Sequence, residues 1–473
     1  MSLFATLFYQ EIHCGFCIFL RVQVHFTTYP LFATFFGAGN LIFPPYLGRN
    51  VGSSWMTGFI GFFIMDVGLA TIGVLAVVMN QKGSIDGVVD KIGHIPGVIC
   101  VTAIILCIGP GLCIPRTAAT TYELGVKTMI PSMNHWVFGA VFFAIVLALT
   151  IRPNKVVDIV GKFLTPVLLA VMVIMIVKGI VAPIGHPVHI GGEVPLKEGM
   201  LSGYQTMDGI GGMLMTLMLI TAAKGYGYTD KKSVSSLIAK AGIVSGVLLM
   251  LVYGGLTFLG ATTSGNSAFA GLEEAPLLVA ITNRLMGGAG VGILAVIVFL
   301  ACLTTAIGLT SVAGNYFEEL SGGRLKYSHL VVAMTIFSYL FSNVGLTKII
   351  SISAPILQIM YPTVLVLVLM SFFEKVIKDR MTTGFAAYTA LVYEILALAA
   401  SMGAPFGFVN SLPLSKFGLG WILPALIGGV VGSFFHGKHY AETIAELDSA
   451  SGKKQYRKPA FDDEMKKNKR EAV

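Results

Sequence analysis

The residues of this sequence that are best suited to chemistry form a short break in an apolar segment near its start. The segment Gly37-Ala38-Gly39-Asn40 is followed one turn later by Pro44-Pro45. Its glycines relax the backbone, the prolines remove two backbone donors, and the Asn40 amide offers a donor and an acceptor. Exposed N–H groups at such a break favour an anion such as a carboxylate, and freed carbonyls favour Na⁺ or an ammonium group. We therefore predict a binding site here, although glycines in membrane helices also serve close packing.

A second break interrupts a later apolar segment at Thr206, Met207, Asp208 and Gly209. A charged Asp208 near the centre of a bilayer costs about 2.5–3.5 kcal/mol, so it is expected to face a cavity or a partner. Two roles stay open for it, direct binding of a ligand or ion and local capping of the backbone freed by Gly209. The predicted substrate-binding residues of both breaks are Gly37, Ala38, Gly39, Asn40, Thr206, Met207, Asp208 and Gly209.

Hydroxyl groups cluster in a further apolar segment, where Thr304 and Thr305 precede Thr310-Ser311 by about a turn and a half. Hydroxyl and carbonyl oxygens together form a cage of low charge that suits a monovalent ion such as Na⁺. The alternative is that each threonine bonds the carbonyl four residues earlier in its own helix.

Further ionisable residues inside apolar segments include Arg116, Asp66 and Glu394. Such groups are rare at membrane depth and face the protein interior or a water-filled cavity. For Arg116 we predict an ion pair with Glu123, Asp208 or another acid in preference to a substrate contact. For Asp66 and Glu394 we predict polar contacts between helices, because neither lies beside a helix break.

These candidates are positioned by twelve apolar segments, most of them near the length of about 20 residues that a membrane-spanning helix needs. The chain has 473 residues, of which 55% are hydrophobic and 12% charged, and its mean hydropathy is +0.80. The apolar runs are continuous instead of alternating, so the predicted fold is an all-α polytopic membrane protein. The predicted spans are residues 28–47, 55–79, 95–122, 133–151, 156–182, 203–223, 234–262, 288–315, 328–343, 349–372, 383–401 and 417–435.

The formal charge of +8 reflects how basic residues are distributed between the loops. If the N-terminus is cytoplasmic, the inner loops and N-terminal segment hold fifteen of the 32 Lys and Arg residues and the C-terminal tail holds nine, whereas the outer loops hold seven. This is the positive-inside pattern, and it predicts that both termini are cytoplasmic. The basic balance therefore requires no nucleic-acid partner.

The two breaks fall in the first and sixth spans, which begin two successive halves of five spans each. Interrupted helices at corresponding positions of two halves mark the midplane site of secondary transporters built from inverted repeats. The predicted parts of the chain are an atypical N-terminal segment at 1–30, a ten-helix transport core at 31–372 with inverted repeats at about 28–182 and 203–372, two additional helices at 383–435 and a polar cytoplasmic tail at 436–473.

Other classes of protein have distinct signatures. The sequence contains no HExxH motif and no histidine pair within a span, so an enzyme is not expected. A channel should show a continuous polar lining instead of two isolated breaks. Cys14 and Cys17 form one CxxC pair without the second pair that a zinc site needs, so no cofactor is expected.

Several motifs in one order closely resemble the bacterial branched-chain amino acid:cation symporters, the BrnQ-like LIVCS family. The resemblance runs from about residue 31 to about 435 and rests on segments 31–45, 109–118, 203–208, 301–310 and 342–346. Residues 1–30 depart from the family pattern, because Arg21, Gln23 and His25 interrupt the usual apolar lead-in. A different start, a frameshift or divergence would each account for this departure.

The resemblance implies a LeuT-like fold of five-plus-five inverted repeats with two further helices, in a bacterial cytoplasmic membrane. It also implies uptake of leucine, isoleucine and valine, with Na⁺ as the coupling ion. Segment 37–40 would meet the substrate carboxylate and a cation, opposite segment 206–209. A second sodium position would take oxygens from Ala33, Phe36, Ala301, Thr304 and Thr305. The alternative is a proton-coupled symporter of another small apolar amino acid or metabolite, with Asp208 or Asp66 carrying the proton.

Overall fold

The computed structural model describes residues 36–79, 85–89, 92–151, 156–192, 194–225, 230–373, 377 and 380–435. Within these ranges the regular structure is helical, apart from one isolated antiparallel bridge between Gly52 and His189. The predicted N-terminal segment 1–30, the tail from 436 and the predicted sodium ligand Ala33 lie outside the described residues.

The first half of the described chain contains nine α-helices. They are α1 (Ala38–Val51), α2 (Trp55–Phe63), α3 (Leu69–Met79), α4 (Ile85–Val89), α5 (His94–Leu106), α6 (Cys113–Thr121), α7 (Lys127–Met129), α8 (His135–Ile151) and α9 (Val156–Val181). Five-residue π-helical segments at Ile64–Gly68, Cys107–Gly111 and Tyr122–Val126 continue α2, α5 and α6. Gly109 is non-helical (φ −79°, ψ −118°) beside Pro110, so the helix is kinked at this point.

The second half of the described chain contains eight α-helices. They are α10 (Pro195–Thr206), α11 (Asp208–Gly225), α12 (Lys231–Ala261), α13 (Glu274–Leu320), α14 (Tyr327–Ser342), α15 (Leu346–Phe372), α16 (Arg380–Ser401) and α17 (Ile422–Phe434). Gly287 interrupts α13 with a positive φ of 71°.

Ten of the twelve predicted spans coincide with apolar helices in the described residues. Six helices have the length and hydropathy to cross a membrane, at Trp55–Met79, His94–Met129, Lys231–Ala261, Glu274–Leu320, Leu346–Phe372 and Arg380–Ser401. Four shorter apolar helices lie at His135–Ile151, Pro166–Val181, Tyr327–Ser342 and Ile422–Phe434. The two remaining predicted spans are the first and the sixth, which carry the predicted breaks.

Glycines bring the two broken spans into backbone contact with their neighbours. A Cβ atom added at Gly199 of α10 would lie 1.8 Å from the Gly58 carbonyl oxygen of α2. On α1, a Cβ atom at Gly48 would lie 1.8 Å from the Thr257 carbonyl oxygen of α12. These positions accept only glycine, because a side chain would force the helix backbones apart.

The segment that precedes α13 is fastened to the end of α1. A 3₁₀ turn at Ser267–Phe269 leads into this segment, and the Arg49 guanidinium donates to the carbonyl of Phe269 at 3.2 Å and to that of Leu272.

Large apolar side chains remain exposed on the helices, including Val181 and Phe434. Apolar surface of this extent is stable in lipid, which agrees with a protein embedded in a membrane.

Candidate functional site

The first break lies where α1 begins. Phe36 and Gly37 are non-helical, and Gly37 is extended (φ −103°, ψ −177°) immediately before the helix starts at Ala38. No side chain of the described residues caps this end of α1, where the first backbone N–H groups lack helical acceptors. The helix continues through Pro44-Pro45, which leaves two carbonyls one turn earlier without their helical donors. The break predicted from the sequence is therefore present in the structure.

The second break lies between α10 and α11. Its single non-helical residue is Met207, which adopts the left-handed conformation (φ 67°, ψ 6°) and is buried. This conformation costs a residue with a side chain roughly 1–2 kcal/mol, so the surrounding packing must hold it. The last carbonyls of α10 and the first N–H groups of α11 consequently lack helical hydrogen-bond partners, and both sets of groups lie next to Met207.

The two breaks meet through the side chain of Asn40. Its Nδ2 atom donates to Asp208 Oδ2 and, at 2.6 Å, to the hydroxyl of Tyr253. The backbones are also in contact, because a Cβ atom added at Gly39 would lie 3.2 Å from Thr206 Cα. Six of the eight predicted substrate residues thus lie at or directly beside this junction, and Gly37 and Gly209 flank them on α1 and α11.

Arg116 lies against the same junction and is 2% exposed. Its Nη1 atom donates to the Gln205 carbonyl at 2.5 Å and its Nη2 atom to the Thr206 carbonyl at 3.3 Å. The predicted ion pair is wrong for the residues described, because no carboxylate among them lies within ion-pair distance of this guanidinium. Glu123 instead pairs with Lys127 at 2.8 Å. A buried cation can satisfy its donors on helix-end carbonyls as well as on an acid.

Asp66 is a site residue for which the sequence predicted a contact between helices and, in the alternative function, the role of proton carrier. The contact between helices is confirmed, because Thr206 Oγ1 donates to Asp66 Oδ1 at 2.8 Å. Asp66 therefore bonds a residue of the second break. The second oxygen of Asp66 has no donor among the described residues, and Asp66 and Asp208 both bond to residues of the two breaks. The π-helical segment that turns Asp66 toward the break has no recognisable signal in the sequence.

Glu394 makes the polar contact between helices that was predicted for it, because Gln358 Nε2 donates to its carboxylate at 3.4 Å.

Three buried tyrosines surround the junction and were missed by the sequence analysis. Tyr253 receives the Asn40 amide, and its ring lies 5.9 Å from that of Phe36. Tyr204 and Tyr361 stack with their ring centroids 4.5 Å apart. The sequence feature that could have identified them is the presence of tyrosines in apolar segments, because a buried phenol keeps its hydroxyl near other polar groups.

The predicted sodium ligands are only partly described. Phe36 is buried, and Thr304 and Thr305 are half-buried. Both threonine hydroxyls donate to the Ala301 carbonyl, at 2.9 and 3.0 Å. Thr305 therefore makes the bond to the carbonyl four residues earlier that the sequence left open as an alternative, and Thr304 bonds the carbonyl three residues earlier. The hydroxyl lone pairs remain able to accept or to bind a cation. The sodium position stays a prediction.

A separate cavity of about 620 Å³ lies between α7 and the first part of α13. It is lined by Glu123, Lys127, Pro276 and Asn283 among others, and none of the residues of the two breaks borders it. The described residues contain no group of three His, Cys, Asp or Glu side chains that could hold a metal ion.

An all-α membrane protein whose two interrupted helices meet at a polar junction belongs to the class of membrane transporters. The family model described as "Branched-chain amino acid transport protein" matches residues 21–439. The chain therefore belongs to the branched-chain amino acid transport protein family. The match begins at residue 21, earlier than the start near residue 31 expected from the motifs.

Curated relatives agree with this assignment. The branched-chain amino acid permease BraB of Bacillus subtilis (strain 168) is 35% identical over 415 residues, which cover 85% of this chain and 93% of the relative. The branched-chain amino acid permease BrnQ of Escherichia coli (strain K12) is 33% identical over 412 residues, covering 84% and 91%. The chain is accordingly a transporter of branched-chain amino acids and not an enzyme.

Solved structures show the same fold at low sequence identity. Mhp1, a nucleobase-cation-symport-1 family transporter in a closed conformation, matches with a TM-score of 0.59 and 14% identity over 87% of this chain and 92% of its own. A Na⁺-coupled sialic acid symporter in a substrate-bound outward-open state matches with a TM-score of 0.57 and 13% identity over 88% and 90%. The predicted LeuT-like, polytopic all-α fold is confirmed.

Proposed function

We propose that this protein is a secondary active transporter that imports leucine, isoleucine and valine together with Na⁺ by alternating access. The observation that carries the proposal is the bond from Asn40 to Asp208, which joins the breaks of the two halves at one point. Ion and substrate bound at such a junction contact both halves, so their joint binding shifts the population toward the closed state.

The substrate site of this proposal consists of the eight residues of the two breaks. The sodium site takes oxygens from Thr304, Thr305 and the carbonyls of Ala33, Phe36 and Ala301. Both threonines lie in α13, and their hydroxyls converge on the Ala301 carbonyl. Three oxygens on one face of one helix supply the low-charge set that Na⁺ prefers, which supports this assignment.

Uptake of radiolabelled leucine into proteoliposomes tests the proposal, with gradients of Na⁺, Li⁺, K⁺ or H⁺ as the driving force. We expect a Na⁺ gradient to drive uptake and Thr305→Ala to raise the Na⁺ concentration needed for half-maximal rate. Thr310→Ala is the matched control, because Thr310 makes the same local bond to the Ala306 carbonyl in the same helix at 2.7 Å. Leucine uptake that depends on no cation gradient would overturn the sodium assignment. An equal effect of Thr305→Ala and Thr310→Ala would overturn it as well.

A second candidate function is proton-coupled transport, and the Asp66–Asp208 pair favours it. Asp208 bonds Asn40 and Asp66 bonds Thr206, so both acids contact the same junction, and where two carboxyls share a site of low dielectric the retention of one proton is favoured. Release of that proton when the site opens would couple transport to a pH gradient. An inward H⁺ gradient that drives leucine uptake without Na⁺, and fails to do so in Asp66→Asn, would establish this alternative.

The proposed orientation has both termini in the cytoplasm of a bacterial cell. It rests on the excess of Lys and Arg in alternate loops. The loop after α13 contains Leu325, which is exposed and predicted to be inside, and the loop after α9 contains Gly191, where a Cβ atom meets nothing within 4 Å. In intact cells a membrane-impermeant thiol reagent should label Gly191→Cys and spare Leu325→Cys, in a background without the native cysteines. The reverse labelling would contradict the orientation.

A further inference from the structure

Arg116 is buried at the junction of the two breaks without an anionic partner among the described residues. Its bonds go to two backbone carbonyls at the end of α10, and its guanidinium also lies over the Phe43 ring at 5.6 Å. Helix-end carbonyls carry a partial negative charge equivalent to about half an electron. That charge compensates only part of a buried guanidinium, which stays protonated in proteins.

The position of Arg116 places its free donors beside the first break. A Cβ atom added at Gly39 would lie 2.9 Å from Arg116 Nη2, so the guanidinium touches the start of α1, an end that no side chain of the described residues caps. Guanidinium has five N–H donors, and carbonyls of α10 occupy one on each terminal nitrogen. Positive charge from a side chain and from a helix N-terminus therefore converges on one point.

Negative charge lies on the other components of the same junction. Asp208 is held by the Asn40 amide, and Asp66 is held by the Thr206 hydroxyl. A free amino acid carries a carboxylate and an ammonium group two bonds apart. The junction thus brings together a cationic group and two acidic side chains, and the hydrogen bonds that Arg116 makes with the described residues go to carbonyls and not to either acid.

We propose that Arg116 receives the α-carboxylate of the transported amino acid, together with the first N–H groups of α1. This inference rests on the proposed function and adds to it the residue that recognises the carboxylate. A planar guanidinium binds a carboxylate through two parallel hydrogen bonds, which gives both strength and orientation. Removing Arg116 should therefore abolish the discrimination between ligands that have and lack a carboxylate.

The experiment compares carboxylate-bearing and carboxylate-free competitors on the full-length protein in detergent. Binding of radiolabelled leucine is competed with unlabelled leucine, leucinamide and leucinol, and thermal unfolding confirms that each variant is folded. In the wild type we expect leucine to compete roughly 10- to 150-fold better than leucinamide, the range that corresponds to one charge-assisted contact. In Arg116→Gln this ratio should fall toward one, and in Arg116→Lys it should be intermediate.

Arg49→Gln is the matched control, because Arg49 also donates to two backbone carbonyls but lies at the end of α1 away from the breaks. Its competition ratio should equal that of the wild type. An equal loss of affinity for leucine and leucinamide in Arg116→Gln would mean that Arg116 only braces α10, and would overturn the inference. If Arg116→Gln does not fold, an unchanged ratio in Arg116→Lys would overturn it as well.

The same data separate this inference from the proposed function. Wild-type protein that binds leucine and leucinamide equally would leave branched-chain amino acid transport standing and refute the role of Arg116. Wild-type protein that binds neither leucine nor valine would refute both.

Discussion

The Asn40 amide donates to the Asp208 carboxylate and so joins α1 to α11. The two bonded residues are 168 positions apart in the sequence. The same amide reaches the Tyr253 hydroxyl, which brings α12 into the junction. One side chain therefore links the first break, the second break and a third helix. Any change in the relative position of the two halves has to break or rearrange these bonds.

Substitution Asn40→Ala removes both bonds of the amide at once. Because it leaves the half-buried Asp208 carboxylate and the buried Tyr253 hydroxyl without this donor, we expect the free energy of unfolding to fall by about 1–3 kcal/mol and leucine uptake to be lost. Unfolding in detergent and proteoliposome uptake measure the two effects. Asn343→Ala is the control, since Asn343 bonds the Tyr339 carbonyl of its own helix, and it should retain uptake.

Two buried tyrosines differ in their bonding and form a matched pair. Tyr253→Phe removes the hydroxyl that receives Asn40, so we expect destabilisation by about 0.6–1.7 kcal/mol. Tyr204→Phe removes a buried hydroxyl that has no partner among the described residues, and stability should stay unchanged or rise. Both are measured by unfolding titration in mixed detergent. Equal losses in the two variants would show that the Asn40–Tyr253 bond contributes nothing.

The contact between α10 and α2 depends on Gly199. A methyl group there would lie 1.8 Å from the Gly58 carbonyl oxygen, so Gly199→Ala should lower the free energy of unfolding by about 1–3 kcal/mol. Gly211→Ala, in the adjoining α11, meets nothing within 4 Å and should be neutral or stabilising, because alanine favours helices. Thermal unfolding of the two variants distinguishes close packing from a general intolerance of substitution.

Outside the membrane, Asp230 caps the start of α12 and makes this end of the helix sensitive to pH. Its carboxylate accepts from the Ser233 N–H at 2.9 Å, and the hydrogen bonds from Ser233 hold the pKa of Asp230 below its ordinary value of 3.8. Since the folded pKa is depressed, the stabilisation is fully present above pH 3.8 and is lost as the pH falls through the folded pKa.

Hydrogen exchange of the amides of Lys232 and Ser233 measures this effect. Relative to intrinsic rates, exchange should accelerate on acidification below pH 3.8 in the wild type and should already be fast at pH 7 in Asp230→Ala. Asp230→Asn is the matched variant, because an amide caps equally well at every pH and should show no such dependence. A wild-type pH profile identical to that of Asp230→Asn would refute the capping role.

The glycines and prolines of the first break show why both interruptions could be predicted. Apolar spans are recognised by their length, and Gly37 to Asn40 contrasts with its apolar surroundings, so a discontinuity is visible without knowledge of any neighbour. The tyrosines and Asp66 were harder to assign, because their importance depends on which helix faces them. Asp66 in particular turns toward Thr206 within a π-helical segment, and a single extra residue per turn leaves no pattern in the sequence.

The sequence by itself determined the helical type of the elements, the positions of the two breaks and the membrane setting, because these depend on local composition and on how many consecutive residues are apolar. Only the tertiary structure decided that Asn40 bonds Asp208, that Asp66 bonds Thr206 and that Arg116 bonds helix-end carbonyls instead of an acid. Each of these pairings spans about 90 residues or more of chain, and a hydrogen bond of such range is set by how the helices pack and not by any spacing along the sequence.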